Sequence, residues 1–150
     1  MLTIFIPVYN EEEILAQSAH TVADYLTKRG ISFEIVVVDN GSHDCTAEIG
    51  KALAQAESWF RFFSLPERGA GRAFACGVRE AQGDCIIALD VDLSSDMIFI
   101  DYALDLLKYS EMVVGSKTMG QQRRTLLRVL GSQAYILCSM MLSAIVERLN

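Results

Sequence analysis

The stretch IALDVDLSSD, residues 87–96, ends an apolar run on three acids, Asp90, Asp92 and Asp96. An ionised carboxylate taken out of water without a partner is costly, so such a run is either surfacing into a loop or presenting its acids to a ligand. Two carboxylates one residue apart can hold a divalent cation, Mg2+ or Mn2+, whose sphere is completed by substrate phosphates. Such an ion acts as a Lewis acid on a departing diphosphate. Asp90 and Asp92 are the expected ligands, and Asp96 is expected to cap the helix that follows. Asp39 closes a second apolar run, FEIVVVD, and either accepts from a nucleobase or ribose or anchors an Asx-type turn with Asn40-Gly41-Ser42.

These acids need elements to position them, and the chain supplies an alternation. LTIFIPVYN opens with a strand-length run expected to stop at Pro7. EEEILAQSAHTVADYLTKRG reads as a helix with three acids at its start and Gly30 past its end. FEIVVVD is a second strand, and CTAEIGKALAQAES a helix capped by Asp44. WFRFFSL is a third strand; GAGRAFACGVREAQG is a flexible loop running into a small-residue helix, with Arg68 or Arg72 available to a phosphate. DCIIALD, SDMIFIDYALDLLKY and EMVVGS complete the pattern as strand, helix and fifth strand. Strands alternating with helices predict a mainly parallel sheet buried on both faces, with ligands beyond the strands' carboxyl ends. Pro7 to Asn10, Asp39 to Ser42, Arg68 to Arg72 and Asp90 to Asp92 all fall on that edge.

At 150 residues, 51% hydrophobic and 21% charged, the chain suits one globular core. Its net charge of −6 is unevenly placed. Residues 1–114 hold 8 Lys and Arg against 18 Asp and Glu, whereas residues 115–150 hold 5 against 1. The basic segment is also the most apolar, which points to an anionic surface or ligand. Its longest nearly uninterrupted apolar stretch, Ala134 to Val146, has 13 residues, short of the roughly 20 that span a bilayer. A helix lying in the headgroup region and a core or dimer helix both fit residues 121–149. Four scattered cysteines form no metal-spaced pair and are expected to be reduced and mostly buried, and His20 and His43 are too isolated to argue as ligands.

GAGRAFACG follows the third strand and carries Phe74 where a dinucleotide fingerprint needs glycine, so that reading fails. A phosphate-binding G-x-x-x-x-G-K-[ST] loop and a G-x-S-x-G elbow are both missing.

Together IFIPVYNEEEIL, EIVVVDNGSHDCT, RGAGRAFACGV and ALDVDLSSD resemble, in order and spacing, the family-2 glycosyltransferases of GT-A type. Within that family the chain is most similar to the enzymes that load a sugar onto a polyprenyl or dolichyl phosphate, and the likeness covers about residues 1–132. It implies a Rossmann-like three-layer α/β/α sandwich with a mainly parallel sheet and a C-terminal amphipathic interface helix. The core would span 1–118 and the basic, apolar helix region 119–150. The resemblance further implies that Pro7, Tyr9, Glu11 and Asp39 hold the nucleoside and that Ala73 lies near the nucleotide. Asp90 and Asp92 would bind the metal and, with Val91, the donor diphosphate. Asn40 stands where many members carry a second Asp, and LSSDM replaces their Gln or His followed by prolines.

In the tail, GSKTMG and RVLGS resemble the segment that grips the acceptor phosphate, which assigns that role to Lys117, Arg128 and Ser132. Asp90, Asp92 and Arg128 are then the catalytic set. A phosphate monoester is itself an oxyanion, so cationic positioning and leaving-group neutralisation can replace a strong enzymic base. The expected activity is inverting, metal-assisted transfer of a hexose from a UDP- or GDP-sugar to a polyprenyl phosphate at the cytoplasmic face of a membrane. A homo-oligomer through the C-terminal helix is a further expectation; nucleic acid is not an expected partner. Because the family continues past this point, the chain is expected to be C-terminally incomplete. Two other readings stay open: a nucleotide-sugar-binding module without turnover, and a family-2 transferase with a polysaccharide acceptor. A nucleotidyltransferase fits less well, because PVYNEEE stands where its glycine-rich, basic signature would follow the first strand.

Overall fold

A computed structural model describes residues 1–94 and 96–115. The elements follow in chain order as β1 (Leu2–Val8), α1 (Leu15–Lys28), β2 (Phe33–Asp39), α2 (Thr46–Ala56), β3 (Phe60–Ser64), α3 (Ala70–Glu80), β4 (Cys85–Ala88) and α4 (Ile98–Leu106). The strands pair in the order β3-β2-β1-β4, every pair parallel. The chain therefore builds outward from β1 to β2 and β3, then crosses back to place β4 on the other side of β1. That reversal opens a crevice at the carboxyl ends of β1 and β4, where ligands of such sheets bind.

Strand alternation divides the core into two layers. Ile4, Ile6 and Val8 of β1 and Ile35 and Val37 of β2 pack with Leu15, Ala19, Val22 and Leu26 of α1 and Ile100 and Ala103 of α4. Phe5, Val36 and Val38 point to the opposite face, against Ala73 and Cys76 of α3. Both faces are apolar, which explains why FEIVVVD reads as a continuous rather than an alternating run. Gly77 lets α3 approach closely, since a Cβ there would collide with the Phe5 ring.

Four sequence expectations change. β1 continues through Pro7 to Val8, in register with Val38 and Asp39. The Phe5 carbonyl accepts from Leu89 N–H and the Val8 carbonyl from Asn40 N–H, so Pro7, two residues on from Phe5, faces the β4 side. Pairing with β4 stops at Phe5 and Ala88, so the missing N–H costs no ladder bond. α1 begins at Leu15, and Glu11 to Glu13 form a turn before it instead of its first helical residues. Its far end is as expected: Gly30, at φ +66°, closes a Schellman cap with Ile31 N–H donating to Leu26 O and Gly30 N–H to Thr27 O. The glycines of GAGR belong to α3 rather than to a flexible loop, with Gly69 as N-cap and Gly71 in the first turn. Finally, Met112 to Gly115 form no strand, and Met112 and Val114 are exposed. An apolar run becomes a strand only where a neighbouring edge takes up its backbone groups, and none of the described strands does so here.

At the amino end of the sheet a polar knot ties the strands to the α3–β4 turn. Thr3 Oγ1 donates to Glu34 Oε1 at 2.7 Å and accepts from Gly83 N–H at 2.9 Å. Gln82 N–H and Arg61 also donate to Glu34, and Arg61 reaches the Glu80 carboxylate at 3.6 Å. Burial pushes the Glu34 carboxyl up, but the hydrogen bonds from Thr3, Gln82 and Arg61 outweigh it and hold the group below the usual range.

Candidate functional site

The carboxyl end of the sheet gathers four loops. β1 runs into Tyr9, Asn10 and Glu11; β2 ends on Asp39; the β3–α3 loop carries Arg68; β4 runs into Asp90-Val91-Asp92. Hydrogen bonds between loops far apart in sequence fix them to one another. Asn10, at φ 55°, donates its N–H to Ser42 Oγ at 2.8 Å and accepts His43 N–H on Oδ1 at 2.9 Å. Glu11 N–H donates to Thr46 Oγ1 at 2.8 Å, and Cys45 N–H donates to Glu12 Oε2 at 2.8 Å. The acids expected at the α1 dipole thus anchor the β1 loop to the start of α2. Asp44 holds the same junction, accepting Thr46 N–H at 3.0 Å and Glu12 N–H at 3.2 Å.

Asp39 is 1% exposed and satisfied from within the chain. Its Oδ1 accepts Ser42 N–H at 3.0 Å and Ser42 Oγ at 2.5 Å; its Oδ2 accepts Ser64 Oγ at 2.9 Å. The Asx-type turn is therefore formed. A carboxylate offers about four lone-pair sites, and these three bonds leave room for one further donor. Asn40, in place of a second acid, accepts Gly69 N–H on Oδ1 at 2.6 Å and so ties the β2 loop to the start of α3. Gly41 permits the same contact from the other side: it sits at φ +78°, and a Cβ there would lie 3.1 Å from Arg68 N.

The Asp-x-Asp segment alternates outward, inward, outward. Val91 is 5% exposed and belongs to the α1 side of the core, while Asp90 and Asp92 are exposed. The turn is held by Leu93 N–H on the Asp90 carbonyl and by Ser94 N–H on Asp92 Oδ1 at 3.0 Å, with Leu93 at φ 48°. Among the described residues no hydrogen bond engages the Asp90 carboxylate. These are free, hard oxygen donors of the kind Mg2+ or Mn2+ takes. No group of three or more His, Cys, Asp or Glu able to hold an ion occurs among the described residues. Two carboxylates fit a cation whose remaining ligands are phosphate oxygens and water. Glu11 lies near enough to register the charge: its carboxyl is raised first by burial, then by repulsion from Asp92 and Asp44.

Tyr9 is half-buried and Pro7 is exposed. The Arg68 guanidinium lies over the Tyr9 ring, with Cζ 4.1 Å from its centroid, and His43 meets the ring edge to face at 6.4 Å. Tyr9, Glu11, Asp39, Asp90 and Asp92 thus stand on one edge. Ala73 does not join them, being fully buried against Phe5, Val36 and Val38. Lys117, Arg128 and Ser132 lie outside the described residues, as does the region expected to form the interface helix. Asp96 acts as expected, accepting Ile98 N–H on Oδ1 at 3.0 Å at the start of α4. His43 and Ser64 were not legible as site residues. The Asp39-x-x-Ser42 spacing signals its own turn, but nothing local marks Ser64, 25 positions away.

Comparison with known proteins shows the family and the fold. The family model described as "Glycosyl transferase family 2" matches residues 3–137. The undecaprenyl-phosphate 4-deoxy-4-formamido-L-arabinose transferase of Pseudomonas aeruginosa is 32% identical over 118 residues, covering 77% of this chain and 35% of that protein. The chain thus spans about a third of the length of that relative. The crystal structure of glucosyl-3-phosphoglycerate synthase from Mycobacterium tuberculosis with Mn2+, UDP and phosphoglyceric acid superposes with a TM-score of 0.55 at 26% identity, over 74% of this chain and 40% of that one. The crystal structure of S. aureus TarS 1-349 with UDP has a TM-score of 0.56 at 19% identity, over 81% of this chain and 39% of that one, and so shares the fold. The parallel sheet with helices on both faces is that of the GT-A transferases, and the chain belongs to glycosyl transferase family 2.

Proposed function

We propose that this chain carries the donor-binding part of a transferase that moves a hexose from a UDP- or GDP-sugar to a polyprenyl phosphate, with inversion, at the cytoplasmic face of a membrane. The observation that carries the reading is the convergence of Tyr9, Asp39, Asp90 and Asp92 on the crevice where the strand order reverses. Tyr9 offers an aromatic face to a base, and Asp39, held rigid by Ser42 and Ser64, keeps one acceptor site for a base or ribose donor. Asp90 and Asp92 would hold a divalent cation against the donor diphosphate, where it supplies Lewis-acid neutralisation of the leaving group. An acceptor phosphate oxygen attacks the anomeric carbon from the face opposite the diphosphate. The new carbon–oxygen bond forms as the bond to the diphosphate breaks, and the bonding pair leaves with the diphosphate.

The named acceptor of the Pseudomonas relative supports a polyprenyl phosphate, and the Mn2+ and UDP of the mycobacterial structure support the metal and the donor class. Lys117, Arg128 and Ser132 are the residues we assign to the acceptor phosphate. The basic balance of residues 115–150 supports an anionic lipid partner there. Among the described residues no helix is long and apolar enough to cross a membrane. Titration of the chain with UDP- and GDP-sugars, with and without Mn2+, tests the reading: metal-dependent binding of one nucleotide class is expected. Failure of every nucleotide sugar to bind with metal present would remove it. Binding without transfer to any lipid phosphate would favour a nucleotide-sugar-binding module instead.

A further inference from the structure

Two arginines follow β3, and the fold uses them differently. Arg72 folds back on its own loop, with Nη1 3.5 Å from Glu67 Oε2 and Nη2 donating to the carbonyl oxygens of Glu67 at 3.3 Å and Arg68 at 3.0 Å. Arg68 forms no ion pair among the described residues and rests on Tyr9. Its backbone is fixed on two sides, by the close approach of Gly41 and by the bond from Gly69 N–H to Asn40. Its side chain is exposed. Arg68 is also the one Lys or Arg on the loops leaving the four strands, which carry Glu11, Asp44, Asp90 and Asp92.

We propose that Arg68 is a two-position residue of the donor site, covering the Tyr9 ring when the site is empty and moving to the diphosphate when a nucleoside diphosphate enters. The inference rests on the nucleotide-sugar reading above. An exposed cation–π contact is weak, equivalent to about a two- to fivefold change in an equilibrium. A guanidinium fork on phosphate oxygens is a stronger, charge-assisted contact and can be bidentate. Exchanging one for the other frees an aromatic face for the base at the moment the charge is needed by the diphosphate. The held backbone lets this happen by side-chain rotation alone.

The two positions make opposite demands on two probes. Uridine alone must displace Arg68 and gains no phosphate contact, whereas UDP gains it. Calorimetric titration of the full chain with uridine and UDP, and with guanosine and GDP, in Mn2+ buffer at two salt concentrations separates them. In Arg68→Ala the nucleoside should bind about two- to fivefold more tightly. The nucleoside diphosphate should bind about tenfold or more weakly, with the loss shrinking at high salt. Arg68→Lys should recover part of the diphosphate loss, and Arg72→Ala should leave both affinities within about twofold. A melting curve for each variant confirms folding. Equal losses for nucleoside and diphosphate in Arg68→Ala, or no change in either, would overturn the assignment, as would the crossed pattern appearing in Arg72→Ala. If the unaltered chain binds no nucleoside diphosphate, the nucleotide-sugar reading falls and this inference with it. If the unaltered chain and Arg68→Ala bind UDP or GDP alike, only the role of Arg68 falls.

Discussion

At the amino end of the sheet Glu34 is 5% exposed and accepts from Thr3, Gln82 and Arg61. At the carboxyl end Asp90 and Asp92 are exposed, with one hydrogen bond to their carboxylates between them among the described residues. The same functional group is neutralised and sealed at one end and left open at the other. The direction of the shifts agrees. Glu34 is held below the usual carboxylate range by its partners, whereas Glu11 is pushed above it, first by burial and then by repulsion from Asp92 and Asp44. A satisfied carboxylate contributes to stability, while a cluster of mutually repelling ones opposes it until a cation or ligand arrives. The comparison identifies the carboxyl end as the end for which stability has been given up.

The largest test strikes the sealed end. Glu34→Ala leaves Thr3 and Gln82 without their acceptor and deprives Arg61 of one partner, Glu80 remaining as the other. A loss of about 3 kcal/mol in unfolding free energy is expected, the low end for a broken buried pair. Chemical denaturation measures it, and a loss under about 1 kcal/mol would mean the knot is dispensable. At the open end Asp92→Asn should weaken Mn2+-dependent UDP or GDP binding by about tenfold or more while leaving the denaturation midpoint nearly unchanged. Asp96→Ala, four residues away, should do the reverse. It removes the bond to Ile98 N–H and is expected to cost about 1 kcal/mol of stability with nucleotide binding intact. Equal binding losses in the two variants would dissolve the distinction between ligand and cap.

The smallest effect is in the pH profile, where the two ends differ in sign. Glu34 has a lowered folded pKa, so its contribution is present above its unfolded value and is lost as pH falls through the folded one. Glu11 has a raised folded pKa, so the folded state binds its proton more tightly than the unfolded chain does. Its contribution favours folding at low pH and is lost as pH rises from the ordinary carboxylate value through the raised one. Stability measured from about pH 3 to pH 6 should therefore lose part of its acid limb in Glu34→Gln. It should lose part of the opposing decline in Glu11→Gln. Parallel profiles for the two variants would show that the ends are not opposed in this way.

Much of this architecture is set by local sequence. Val and Ile runs of strand length, helices between them and turn residues at their ends determined the α/β class, four of the strands and the parallel sheet. Gly30 and Asp96 determined their caps, because αL backbone and a side chain bonding two residues ahead are short-range properties. The same pattern placed every unusual acid on one edge. Tertiary structure decided the rest, because it depends on groups far apart in the chain. Pro7 stays in β1 only because β4 has already ended beside it. Ala73 turns to the core because α3 packs on Phe5, and VVG of the tail is no strand because no described edge receives it. Glu11 acquires its raised pKa first from burial and then from Asp92, 81 positions away, and Arg68, on the loop after β3, meets Tyr9 two strands across the sheet. Residue type and spacing specify which carboxylates exist and where they surface; which of them is left without a partner is settled only when the loops close on one another.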